Sequence, residues 1–182
     1  MLGMTELLSG MSRVDVRWML GGSVAAMCYS EPRATLDVDC ILDLHPGQEI
    51  KMVEAFPEAD FYLPPLNVIA HEIRRGALGS FNIIHHNTGF KADCYPCGTD
   101  ALMLWGLTKA EPLSIADLIV PVAPPEYIIA MKLRYFAISG QDKHLRDIRS
   151  MMAITTQIDR ELIDEWSRRF GVGDAWRLAQ SN

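Results

Sequence analysis

An α+β fold, with strands and helices mixed first and helices last, is what the sequence predicts. Three observations carry it: strand-like runs punctuated by Gly and Pro fill the first two thirds of the chain, a short glycine-containing turn separates two extended runs, and helical periodicity takes over after Pro124-Pro125.

The elements follow in order. Val14 to Leu20 reads as a short strand ending at Gly21-Gly22, and Ser23 to Tyr29 as a small-residue helix, a strand, glycine turn, helix unit that Pro32 breaks. Thr35 to Leu44 is a buried strand rich in Val, Ile and Leu yet interrupted by acids. Gln48 to Ala55 reads as a helix, and Phe56 to Asn67, with three prolines, as an irregular surface segment. Phe81 to His86 and Phe90 to Tyr95 are two extended runs around Asn87-Thr88-Gly89, a hairpin signal with Asp93 on its second arm. Asp100 to Leu107 is open between helix and strand, and Ala116 to Val122 is a further strand. Pro124-Pro125-Glu126 opens the longest helix, with Ile129, Leu133 and Phe136 at core-facing spacing and Gly140 at its end. His144 to Ile154 and Asp159 to Phe170 follow as amphipathic helices, the second with Asp159 as N-cap.

Composition narrows the function classes. At 182 residues, 49% hydrophobic and 22% charged, the chain supports one full core, expected as residues 1–122 with a helical extension, 123–182, packed on it as a single compact unit. The net charge of -6 argues against a surface that neutralises bare nucleic acid, and favours a small or metal-neutralised substrate. Met1 to Met11 does not read as a secretory signal, and no apolar run nears the roughly 20 residues that span a bilayer, so a soluble, cytoplasmic protein without membrane contact is expected. Four cysteines are too few for a disulfide scaffold, and Cys94-Tyr95-Pro96-Cys97 lacks a second ligand pair for zinc; buried small hydrophobes are the expected role.

The acids carry the chemistry. In an extended strand Asp37 and Asp39 share one face while Val38 and Cys40 point into the core. Two adjacent carboxylates in an apolar strand repel, and a hard divalent cation with oxygen ligands is the economical explanation. The bland alternative is a strand edge with Arg33 or Lys91 as partner. Gly22-Ser23, a glycine turn opening a helix, offers unpaired N–H groups that suit phosphate oxygens; alone it would be a plain tight connection.

Leu20-Gly21-Gly22-Ser23, thirteen residues, then Asp37-Val38-Asp39 resembles the nucleotidyltransferase superfamily pattern, and Phe90-Lys91-Ala92-Asp93-Cys94 matches that family's third carboxylate. Arg33 to Asp39, Pro125 to Leu133 and Arg146-Asp147-Ile148 look most like the small bacterial branch that includes AbiEii-type toxins. The resemblance spans roughly Trp18 to Met151 and implies a mixed β-sheet flanked by helices, with the three aspartates near its strand ends and the helical C-terminal part closing over the cleft. It implies two Mg²⁺ or Mn²⁺ ions on Asp37, Asp39 and Asp93, with Asp93 completing the ion that activates the acceptor. A nucleoside triphosphate such as ATP is then held by Gly22, Ser23 and Lys132, and an NMP passes to an acceptor hydroxyl with pyrophosphate release. Protein or small-molecule acceptors are favoured over bare RNA, and a protein partner is compatible with this branch. His85 and His86 could orient an acceptor or simply sit in the hairpin. The rivals are a catalytically silent binding module of a toxin–antitoxin type system and a metal-dependent phosphoesterase.

Overall fold

The computed structural model describes residues 2–32, 34–35, 37–115 and 117–181, so Arg33 and Ala116 lie outside the described residues. The chain divides into two compact units, residues 1–24 with 35–123, and residues 25–34 with 124–182.

The first unit holds a seven-stranded mixed sheet. In chain order its elements are α1 (Leu2–Arg13), β1 (Trp18–Leu20), the start of α2 (Gly22–Met27), β2 (Asp37–Leu42), α3 (Ile50–Ala55), β3 (Phe61–Tyr62), α4 (Leu66–Arg74), β4 (Phe81–His85), β5 (Lys91–Pro96), α5 (Ala101–Lys109), β6 (Glu111–Ile115) and β7 (Leu118–Val122). The strand order is β3-β4-β5-β2-β1-β7-β6. β2 runs parallel to β5 and antiparallel to β1, and β4–β5 is the antiparallel hairpin expected from its turn. The acid-bearing strand is therefore interior to the sheet.

Alternation gives that sheet two faces. Val38, Cys40, Ala92, Cys94, Phe81 and Ile83 are buried on one, where α1 packs across β4, β5 and β7 through Leu7, Leu8 and Met11. Each of these fully buried side chains removes apolar surface worth about 2 kcal/mol. α1 was not anticipated, and it packs on the face that the strands leave apolar.

Other elements differ in detail from expectation. Only Trp18–Leu20 of the first run is strand. The proline-rich stretch 56–67 carries the two-residue β3 with Phe56 and Phe61 buried edge to face, and α4 begins at its end. α5 resolves as a helix because Asp100 caps it, accepting from the N–H groups of Leu102 and Met103. β6, an edge strand with Pro112 in it, pairs with β7 and was not anticipated.

The second unit is helical: α6 (Pro125–Ser139), α7 (Lys143–Ile154), α8 (Arg160–Arg169) and α9 (Gly173–Gln180), the last not anticipated. α6 packs against each of the other three and is buried all round from Tyr127 to Leu133, ending at Gly140 with φ 65°. Phe136, expected in the core, is only half-buried. Asp159 caps α8 as predicted, accepting from Leu162 N–H. The segment 25–34 is tied to this unit by Thr155 Oγ1 donating to the Tyr29 carbonyl at 2.9 Å.

A charge lies inside this unit. Lys132, 5% exposed, places its ammonium 2.6 Å from Asp147 Oδ2. Removing one partner of a buried pair strands the other, which costs about 3 kcal/mol or more. Asp147→Ala and Lys132→Met should therefore each lower the urea midpoint, and the double variant by clearly less than their sum; additive effects would contradict a buried pair.

Candidate functional site

The parallel register of β2 on β5 builds the site. Asp37 lies opposite Lys91 and Asp39 opposite Asp93, so four charged side chains share the sheet face opposite to that covered by α1. β4 adds Asn82, opposite Asp93. All five positions are half-buried or exposed, while the residues between them are buried.

Both oxygens of Asp93 have partners. Asn82 Nδ2 donates to Oδ1, and the Lys91 ammonium is 3.1 Å from Oδ2. Lys91 also reaches Asp37 Oδ1 at 3.5 Å, so one ammonium bridges the two strands. Its pKa is raised, chiefly by the hydrogen bond to Asp93, with the charges of Asp93 and Asp37 adding. Behind this face, burial pushes the Cys40 thiol up, and the Asp39 and Asp93 charges push it further. Cys94 is raised in the same way, first by burial.

Gly22 joins the carboxylates. The Gly21 N–H donates to the Asp39 carbonyl at 2.8 Å, extending the β1–β2 pairing and bringing the next residue against the Asp39 side chain. Gly22 has φ 57°, and a Cβ built there would lie 1.7 Å from Asp39 Oδ2 and 2.3 Å from Cγ. Only glycine satisfies both the left-handed backbone and the close approach. Ser23 follows in the first turn of α2.

The structure thus gathers Gly22, Asp37, Asp39 and Asp93, and adds Asn82 and Lys91, which sequence reasoning did not place in the site. Lys91 had been named only as a bland partner for the acidic pair, and it does partner Asp37, although on an interior strand rather than an edge. Lys132 belongs to the helical unit, where it is paired with Asp147 rather than solvated. The histidines do not join. His85 is buried, with Nε2 2.6 Å from Glu6 Oε2 of α1 and Nδ1 2.8 Å from Thr88 Oγ1, and His86 Nε2 lies 3.1 Å from the Glu58 carbonyl oxygen.

At the other end of β2 and β5, Asp43 accepts from Arg17, at 2.6 Å to Nη2, and lies 3.2 Å from His45 Nε2. Burial would raise the Asp43 carboxyl, but the hydrogen bond and charge of Arg17 bring it below its ordinary value. Cys97 donates to the same carboxylate, and burial together with Asp43 pushes its thiol up to about 12. The two cysteines of the CxxC are buried thiols.

The donor chemistry suits a divalent cation. Carboxylate oxygens are the hard ligands that Mg²⁺ and Mn²⁺ prefer. Gly22 leaves room for one of those carboxylates, and a protein ammonium already occupies the electrostatic place of a cation between Asp37 and Asp93. In this arrangement no three His, Cys, Asp or Glu side chains among the described residues are gathered as a ready metal cage.

Gly22→Ala should lower stability by about 1–2 kcal/mol through its left-handed backbone alone and displace Asp39 besides. Gly21 has no left-handed backbone, and a Cβ there meets the Cδ1 end of Ile41 rather than a carboxylate, so the effect of Gly21→Ala should be smaller. Urea unfolding of the two variants checks this; a Gly22→Ala midpoint equal to that of wild type would refute the close approach.

No protein-family model matches the chain, and no curated protein matches it. Solved structures do. A crystal structure of ANT(2'')-Ia in complex with adenylyl-2''-tobramycin aligns with a TM-score of 0.58 at 16% identity, over 92% of this chain and 94% of that one. The solution structure of the same antibiotic-resistance factor gives 0.56 at 16% identity, over 96% and 92%. An antigenic nucleotidyltransferase-like protein from Paracoccidioides brasiliensis gives 0.55 at 15% identity, over 94% and 91%. With its mixed sheet and flanking helices, the chain has the fold of these nucleotidyltransferases.

Proposed function

We propose that the chain is a metal-dependent nucleotidyltransferase that moves an NMP from an NTP to an acceptor hydroxyl. The observation that carries this reading is the convergence of Asp37, Asp39 and Asp93 on one sheet face beside Gly22, in a fold shared with nucleotidyltransferases. The resemblance to the small bacterial branch with AbiEii-type toxins supports the same class and adds a toxin–antitoxin setting and a protein partner to what is proposed.

Asp37 and Asp39 would hold the divalent ions, with Asp93 completing the set nearest the acceptor. When bound, such ions polarise the α-phosphate and neutralise the departing pyrophosphate. The protein's own groups do the rest. Gly22 and Ser23 would present backbone N–H groups to the triphosphate. Asp93, steadied through Oδ1 by Asn82, would take the acceptor proton as the acceptor oxygen attacks the α-phosphorus and the bond to the β-phosphate oxygen breaks. Lys132 is proposed as a further triphosphate contact, which requires its ammonium to be shared with Asp147.

A small-molecule or protein acceptor is favoured, because the net charge of -6 disfavours bare RNA. The structure of ANT(2'')-Ia in complex with adenylyl-2''-tobramycin, a chain of similar fold, supports the small-molecule option. Among the described residues no helix is long and apolar enough to cross a membrane, and the reading needs none. A cytoplasmic site of action, where NTPs abound, belongs to the same proposal.

One observation favours a second reading, a silent binding module of the same fold. Lys91 already neutralises Asp37 and Asp93. Thermal shifts separate the two when each NTP is tested with and without Mn²⁺. The enzyme reading predicts a metal-dependent, nucleotide-selective rise in midpoint that Asp39→Asn abolishes. It also predicts pyrophosphate release that Asp93→Asn slows by about a hundredfold or more. Normal turnover by Asp93→Asn would refute the assigned mechanism, and nucleotide binding without turnover on any acceptor class would favour the silent module.

A further inference from the structure

We propose that Lys91 is a built-in counter-ion that holds the carboxylate face together without metal and competes with the divalent cation for it, thereby setting the metal affinity. This rests on the reading of Asp37, Asp39 and Asp93 as the cation site. Its direct support is the bridge: the ammonium lies 3.1 Å from Asp93 Oδ2 and 3.5 Å from Asp37 Oδ1.

The backbone makes this position unavoidable. Lys91 stands opposite Asp37 in the parallel ladder and two residues before Asp93 on its own strand, so its stem rises from the face that carries both acids. Three carboxylates so close repel, and an ammonium between two of them lowers that cost. The same oxygen of Asp93 cannot serve the ammonium and a metal ion equally, because the two cations repel each other at contact distance.

Exposure separates Lys91 from the buried lysine of the helical unit. The Lys91 side chain is 33% exposed, so its head can withdraw to water on a flexible four-carbon stem, whereas the side chain of Lys132 is 7% exposed and paired with Asp147. Asn82 is the complementary element. It is uncharged and holds the other oxygen of Asp93, so it can keep the carboxylate in place while Lys91 yields.

The test is a titration with MnCl₂ alone, followed by electron paramagnetic resonance of free Mn²⁺, on wild type, Lys91→Met, Lys91→Arg and Asp39→Asn. Lys91→Met should bind Mn²⁺ about tenfold more tightly than wild type, as removal of a like charge at contact distance in a partly solvated site implies. Lys91→Arg should stay near wild type. In EDTA, Lys91→Met should melt below wild type and gain more than wild type from saturating Mn²⁺, a crossing that simple loss of packing does not give. Lys91→Gln serves the same comparison if the Met variant fails to fold. Equal or weaker Mn²⁺ binding by the uncharged variants, with wild-type binding abolished by Asp39→Asn, overturns the counter-ion while leaving the cation site intact. Absence of Mn²⁺ binding in wild type and in every Lys91 variant overturns the cation site and the counter-ion with it.

Discussion

Repulsion among Asp37, Asp39 and Asp93 is the constraint on which the rest of this site depends. Parallel pairing of β2 with β5 places three carboxylates on one face, and nothing apolar can pay for that proximity. The structure answers with donors of its own: Lys91 across Asp37 and Asp93, and Asn82 on Asp93. An arrangement that costs stability and is still built into the middle of a sheet points to a function that uses the charge, because an interior strand could have carried neutral residues there at no loss to the fold.

The scaffold explains why the arrangement holds. The opposite face of the same strands is buried, with α1 packed against β5, so neither strand can slip by one residue without turning its acids into the core. That burial fixes the register, and the register fixes which acids meet. Gly22 then closes the assembly from β1, since its lack of a side chain lets the glycine turn come against Asp39. Position therefore passes from apolar packing to strand register, and from register to the charged face.

Much of this was legible in the sequence, and the reasons for the rest are physical. The alternation around Asp37 and Asp39 foretold their shared face, with Val38 and Cys40 buried, because strand periodicity is local. The hairpin was legible from its turn. Asn82 was not, because its pairing with Asp93 depends on the turn's internal hydrogen bonding, His85 N–H to the Phe90 carbonyl, which sets the register and cannot be counted from a turn of unknown geometry. Lys91 was visible as a partner for Asp37, but its bridge to Asp93 required knowing that β2 and β5 are neighbours. α1 and β6 were missed because their apolar residues make sense only against a sheet already formed. The burial of Lys132 was missed for a similar reason: α6 is packed by three helices, so a polar position on its wheel is not a solvent position.

The central claim, that the three aspartates form a cation and triphosphate site, is tested most directly by locating the ion. The measurement is an anomalous-scattering map from a crystal grown with Mn²⁺ and a non-hydrolysable NTP. The account predicts a peak about 2.1 Å from carboxylate oxygens of Asp37 and Asp39, with the triphosphate beside Gly22 and Ser23 and the Lys91 ammonium withdrawn from Asp93. A nucleotide bound away from this face, or Mn²⁺ absent from it while the Lys91 bridge stays intact, would contradict it.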